Sequence, residues 1–210
     1  MGLRASMLLL LRGAAAWAPA PSPLMTRWAK DVHPDQTPAY PRPMMARPAS
    51  SWTHLDGLWQ VNISATIGDM STPPVGRTLP SEILVPYPVE SPLSGIRKLP
   101  PSFAMWYRRT FEGIACDAAG VTLLHFEAVD WNTTAYVNGQ RVGNHVGGYD
   151  EFTFDISAAL KKTGENELLV GVIDQTVGVK GKQRRSAMTD PSGITCESSN
   201  GRLQPSRAVV

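Results

Sequence analysis

The sequence predicts an all-β domain, a sandwich or barrel built from short strands. Three observations carry this. From Leu55 onward, short apolar runs alternate with turn residues at intervals of about ten positions. Phe152-Thr153-Phe154-Asp155-Ile156 alternates large apolar groups with polar ones, the period of a half-buried strand. Gly and Pro number 18 each in 210 residues, which favours turns over a helical bundle, while a hydrophobic fraction of 42% still allows a core.

The elements follow in order. Leu58-Trp59-Gln60-Val61 and Trp106-Tyr107-Arg108-Arg109-Thr110-Phe111 read as strands. Val121 through Phe126 and Leu168 through Ile173 are apolar on both faces, so they are expected in central positions. Ala135-Tyr136-Val137 leads into Asn138-Gly139 and then Gln140-Arg141-Val142-Gly143. Asn-Gly tolerates the positive φ of a tight turn, so this is a hairpin. Ser157 through Lys162 is the one helix candidate, a connector of about one and a half turns. Seven or eight strands result, a number typical of a sandwich. No internal repeat is present.

The N-terminal region is different. The first acid is Asp31. Arg4, the apolar run Met7 through Leu11 and the small residues Gly13 through Ala16 have the layout of a secretory signal, with cleavage before Trp17. Arg12 splits the apolar stretch, so an organelle transit peptide is the alternative address. Met1-Gly2 with Ser6 matches a myristoylation pattern, but the apolar run behind it argues against that reading. Residues 19–50 carry Pro19, Pro21, Pro23, Pro34, Pro38, Pro41, Pro43 and Pro48, which hold the chain extended. By composition this is a linker; an arm anchored by Trp28, Tyr40 and Trp52 is the alternative. The expected organisation is an address peptide at 1–20, a Pro-rich arm at 21–54, the β-domain at 55–195 and a tail at 196–210.

Several function classes lose support. Lys+Arg of 20 against Asp+Glu of 18 gives a net charge of +2, no footprint for nucleic acid. No apolar run is long enough to span a bilayer as a helix, so an integral membrane protein is not expected. There is no phosphate loop, nucleophile elbow or His-Glu-x-x-His. Cys116 and Cys196 read as isolated thiols, and the four His residues are widely spaced, so no metal or cofactor is expected. Most acids fall in turns or on the solvent side of strands. Asp174 follows an apolar strand directly and opens a Gly- and Lys-rich loop, where all-β domains place binding groups; the local alternative is an Asx turn. Asn62-Ile63-Ser64 and Asn132-Thr133-Thr134 are N-glycosylation sequons if the chain is secreted.

Together the motifs carry a resemblance. Leu55-Asp56-Gly57-Leu58-Trp59, Val85-Pro86-Tyr87-Pro88-Val89-Glu90-Ser91-Pro92-Leu93-Ser94-Gly95, the Trp106 strand, Val129-Asp130-Trp131, the Asn138-Gly139 hairpin and Gly147-Gly148-Tyr149-Asp150 occur in an order similar to the N-terminal sugar-binding domain of glycoside hydrolase family 2. That family includes β-galactosidases, β-glucuronidases and β-mannosidases. Leu24 through Ala29 and Tyr40 through Pro43 resemble its lead-in arm, which turns the linker reading toward an ordered arm. The resemblance spans about residues 24–194.

It implies a jelly-roll, galactose-binding-like β-sandwich. It also implies that Asp174 matches an acid which in some members binds the sugar, and that Lys182 and Gln183 lie in a loop near the substrate pocket. Family catalysis relies on two glutamates in a C-terminal (β/α)8 barrel, with the acid/base following an asparagine. Here Asn166-Glu167 precedes Leu168 inside a strand and is not that motif, so no catalytic residue is assigned and this chain alone is expected to be inactive. Where the family continues with an aromatic-bearing closing strand, the chain reads Gly201-Arg202-Leu203-Gln204, so that strand is expected to be lost. The implied function is the carbohydrate-binding portion of a retaining β-glycosidase, associating with a catalytic barrel. A free-standing glycan-binding module and a non-catalytic remnant are the alternatives.

Overall fold

The computed structural model describes residues 17–35, 52–100, 104–112, 120–161 and 163–174, together with the backbone of 188–190 and 193–197. These residues form twelve strands: β1 (Trp52–Thr53), β2 (Gly57–Ile63), β3 (Ser81–Val85), β4 (Ala104–Glu112), β5 (Val121–Phe126), β6 (Ala128–Val129), β7 (Asn132–Val137), β8 (Gln140–Val146), β9 (Phe152–Asp155), β10 (Glu165–Ile173), β11 (Met188–Asp190) and β12 (Gly193–Glu197). One sheet has the order β3-β2-β4-β10-β7-β8, a second β1-β12-β5-β9, and β11 pairs with β6. Every pairing is antiparallel.

The two larger sheets bury their alternating residues against each other. Trp59 and Val61 of β2, Met105 and Tyr107 of β4, Leu168, Val170 and Val172 of β10, and Ala135 and Val137 of β7 share one core with Leu124 and Phe126 of β5. Phe152 and Phe154 of β9 pack against that core. Each large side chain withdrawn from water contributes roughly 1.5–3 kcal/mol. The all-β sandwich expected from the sequence is the fold observed.

Two expectations need adjustment. β10 is central and buried on both faces: beyond the core, Leu169 is covered, and the Trp106 ring lies so close to Gly171 that a Cβ there would meet it at 2.8 Å. β5 lies inside its sheet but buries one face only, with Thr122, Leu124 and Phe126 buried and Val121 exposed. The helix candidate at Ser157 shrinks to a 3-10 turn, Ser157–Ala159. Near the C-terminus, β12 inserts between β1 and β5, whereas Gly201 through Gln204, the position of the closing strand, lie outside the described residues.

The hairpin is as the sequence demands, with positive φ at both Asn138 and Gly139. Asn138 does more than turn the chain. Its Nδ2 donates to Ala159 O at 2.8 Å and to Asn166 Oδ1 at 2.7 Å, and its Oδ1 accepts from Glu167 N at 3.0 Å. These bonds hold the polar start of β10 within the sandwich.

Residues 17–35 lie against the domain. The Trp17 indole donates to Ser94 O at 3.3 Å and Ala20 N donates to Pro92 O at 2.8 Å. Gly95, at φ 86°, lies so close that a Cβ would meet Trp17 Nε1 at 2.6 Å. Gly95→Ala is therefore expected to cost about 1–2 kcal/mol, from backbone strain and lost room together. Urea unfolding checks it: the loss should shrink when Trp17 is also replaced by alanine. Farther along, Pro34 O lies where a Gly57 Cβ would come within 2.9 Å.

Candidate functional site

The C-terminal end of β10 defines one end of the sandwich. Ile173 is opposite Ala104 on β4 and Asn132 on β7. Asp174 follows, only 2% exposed. On the next strand, the turn from β6 into β7 places Asp130 and Trp131 just before Asn132. Asn132 pairs with Val146 on β8, and beyond that pair Gly147 N donates to Trp131 O at 2.9 Å. Asp174, Trp131 and Gly147 thus stand at the same end of three adjacent strands.

The chain after β8 is shaped by two glycines. Gly147 has φ 142°, a region that disfavours side chains, and a Cβ there would lie 3.2 Å from His145 Nε2 and 3.6 Å from Asp150 Oδ2. Gly148 packs against the Asp130 carboxylate, with 2.7 Å between its ideal Cβ and Asp130 Oδ1. The turn presents Tyr149, which is 90% exposed, while Trp131 is 40% exposed.

One row inward, Val172, Thr133 and His145 are paired across the same three strands. The His145 imidazole stacks on Phe152 of the opposite sheet, with centroids 4.2 Å apart and planes 14° apart. His145 Nε2 and Thr133 Oγ1 are buried and have no hydrogen-bond partner among the described residues. Asn132 Oδ1 accepts from Asn144 Nδ2 at 2.9 Å. This sequon asparagine is therefore bonded inside a strand, and Asn62 also lies within one, paired with Trp106.

Elsewhere, a concavity of about 280 Å³ lies over β2, β3 and β4 and is lined by Gln60, Glu82, Arg108, Arg109 and Thr110 among others. Its cations are already engaged. Arg108 pairs with Glu167, and Arg109 Nη1 donates to Leu55 O at 2.7 Å and Asp56 O at 2.8 Å. Burial pulls the Arg109 guanidinium below its ordinary value, while nearby Asp56 acts in the opposite direction.

Of the residues expected from the sequence, Asp174 stands at the sandwich end; Lys182, Gln183, Tyr40 and both cysteine side chains lie outside the described residues. Among the described residues, no three His, Cys, Asp or Glu side chains gather as metal ligands, and no helix is long and apolar enough to cross a membrane. Sequence reasoning did not bring Trp131, Tyr149, Thr133 and His145 to the same end of the sheet as Asp174. The Gly-Gly pair before Tyr149 was the available signal, because paired glycines mark a tight turn. The groups at this end are the carboxylates of Asp174 and Asp130 and the exposed rings of Trp131 and Tyr149.

Comparison with known proteins gives this geometry its family. Residues 68–190 match the family described as glycosyl hydrolases family 2, sugar binding domain. The chain belongs to glycoside hydrolase family 2. Among family 2 relatives, a protein of Formosa agariphila assigned as a beta-glucuronidase is 37% identical over 67 residues, 32% of this chain and 8% of that protein. A beta-galactosidase of Thermoanaerobacter pseudethanolicus is 36% identical over 72 residues, 34% of this chain and 10% of that one. The matched segment thus spans a tenth or less of each relative. In fold, the Bifidobacterium dentium beta-glucuronidase solved with coumarin-3-O-glucuronide is similar at TM-score 0.52 and 20% identity, covering 73% of this chain and 31% of that one.

Proposed function

We propose that this chain is the N-terminal carbohydrate-binding portion of a retaining β-glycosidase, contributing Asp174 to the sugar site while the two catalytic carboxylates belong to a barrel domain. The observation that carries the reading is the family 2 sugar-binding match over residues 68–190, with Asp174 buried at the end of the central strand inside that match. A carboxylate held there accepts hydrogen bonds from sugar hydroxyls, each worth about 1.5–3 kcal/mol when one partner is charged. Lys182 and Gln183, eight and nine positions further on, are proposed as further contacts of the same loop.

The test uses the purified 210-residue chain. Methyl β-D-galactoside and methyl β-D-glucuronide are titrated by ligand-observed NMR, and hydrolysis of the p-nitrophenyl β-glycosides is followed by absorbance. Weak binding of at least one methyl glycoside is expected, reduced about tenfold or more by Asp174→Asn at unchanged melting temperature. No enzymatic turnover is expected, since retention requires two carboxyl groups about 5–5.5 Å apart across the glycosidic bond. Turnover by a preparation free of other glycosidases, or unchanged affinity in Asp174→Asn, would defeat the reading.

A further inference from the structure

We infer that Trp131 and Tyr149 form a stacking subsite for a pyranose ring beside Asp174. The inference rests on the carbohydrate-binding reading and adds to it the groups that meet the sugar's face. Trp59, Trp106 and Tyr107 are buried in the domain, whereas Trp131 and Tyr149 stay open to water at the end that carries Asp174.

Their placement is fixed by the backbone. The Gly147 N–H bond to Trp131 O joins the two turns that bear the rings. Gly147 adopts φ 142° over His145, which is itself stacked on Phe152, and Gly148 is pressed onto Asp130. A turn held at three points keeps Tyr149 in place without covering it.

The chemistry favours a sugar over an apolar protein surface. The C–H bonds on one face of a pyranose carry partial positive charge and meet the negative face of an aromatic ring. Its hydroxyls need acceptors at the rim, while Asp174, buried at 2% exposure, stands one step across from Trp131 on the neighbouring strand. Asp150 and Glu151, both exposed, flank Tyr149 on its other side. An apolar partner covering Tyr149 would desolvate these carboxylates without repayment in hydrogen bonds, whereas a polyol donates to them. One row inward, Thr133 Oγ1 is 0% exposed and unpartnered among the described residues.

The experiment uses the 210-residue chain, methyl β-D-galactoside and methyl β-D-glucuronide as probes, and dissociation constants from ligand-observed NMR. Trp131→Leu and Tyr149→Leu are each expected to weaken binding about fivefold, in line with the worth of a ring face beyond its apolar area. Trp131→Phe, which keeps a ring, should stay within about twofold of wild type. Saturation transfer from the protein should concentrate on the axial protons of one pyranose face. Melting curves identify any variant that is unfolded, and Trp131→Phe then carries the comparison. If the leucine variants bind like wild type while Asp174→Asn does not, the subsite is wrong and the broader reading survives. Equal losses in Trp131→Phe and Trp131→Leu also overturn stacking. If wild type binds neither probe, both fall together.

Discussion

Replacing Gly143 with valine is expected to abolish cooperative folding, and replacing it with alanine to cost about 2–3 kcal/mol. Gly143 is on β8 opposite Ala135, where the register of β7 and β8 shifts. The Phe154 ring lies across it from the other sheet: an ideal Cβ at Gly143 would be 2.2 Å from two ring carbons and 2.6 Å from Phe154 Cγ. The near carbons include the root of the ring, so a small rotation does not relieve the overlap. On its core side the ring is hemmed in by other rings. Phe154 is 5.3 Å from Phe152 and 6.1 Å from Phe126 between centroids, and Phe126 and Phe152 stack at 4.8 Å. Moving Phe154 therefore disturbs Phe152, which supports His145 two residues along β8. Urea denaturation of Gly143→Ala checks the magnitude, and Gly143→Ala combined with Phe154→Leu should recover part of the loss. A melting temperature for Gly143→Ala equal to wild type would show that the two sheets slide apart more freely than their packing suggests.

The same strands show how far the sequence could be read. Asn138-Gly139 announced the hairpin because its constraint is local: positive φ at consecutive residues. Phe152 to Ile156 announced β9 because one face meets the core and the other meets water. β3 escaped notice because Ile83, Leu84 and Val85 are all buried, which erases the alternation, and Ser81 and Glu82 before them are polar and exposed. The start of β10 was placed in a strand by the resemblance, not by periodicity. Asn166 and Glu167 are buried polar residues, which no alternation marks as strand; Asn138, Gly76 and Arg108 reach them from distant positions, and Lys161 N from five residues away. For the site, local sequence left Asp174 as an ordinary turn residue, and only the family resemblance raised it. Trp131 and Tyr149 become its neighbours through the pairing of β10, β7 and β8, and register across three strands is not written in any one of them.

Arg108→Met is expected to destabilise the domain by about 3–5 kcal/mol, and the double variant Arg108→Met, Glu167→Leu by much less. Arg108 Nε donates to Glu167 Oε1 at 2.6 Å, with the two side chains only 18% and 11% exposed. Arg108 Nη1 also donates to Gln60 Oε1 at 3.2 Å, and Gly76 N donates to the Glu167 carboxylate at 3.0 and 3.2 Å. The pair thereby fastens the excursion between β2 and β3 onto the centre of the sheet. Removing the cation leaves a largely buried carboxylate with one backbone donor, a state costlier than never burying a charge there. Removing both charges eliminates that cost, so the double-mutant cycle should show coupling of at least 1 kcal/mol. Urea unfolding at matched m-values reads it. A loss below about 1 kcal/mol for Arg108→Met, with no improvement in the double variant, would mean that solvent already screens the pair. Affinity provides a second readout. Glu167 and Asp174 are separated along β10 by about 23 Å at the rise of a strand. Glycoside binding by the folded fraction of Arg108→Met should therefore match wild type. A stability loss of this size without a change in binding would locate the ion pair in the scaffold and leave recognition to the far end of the strand.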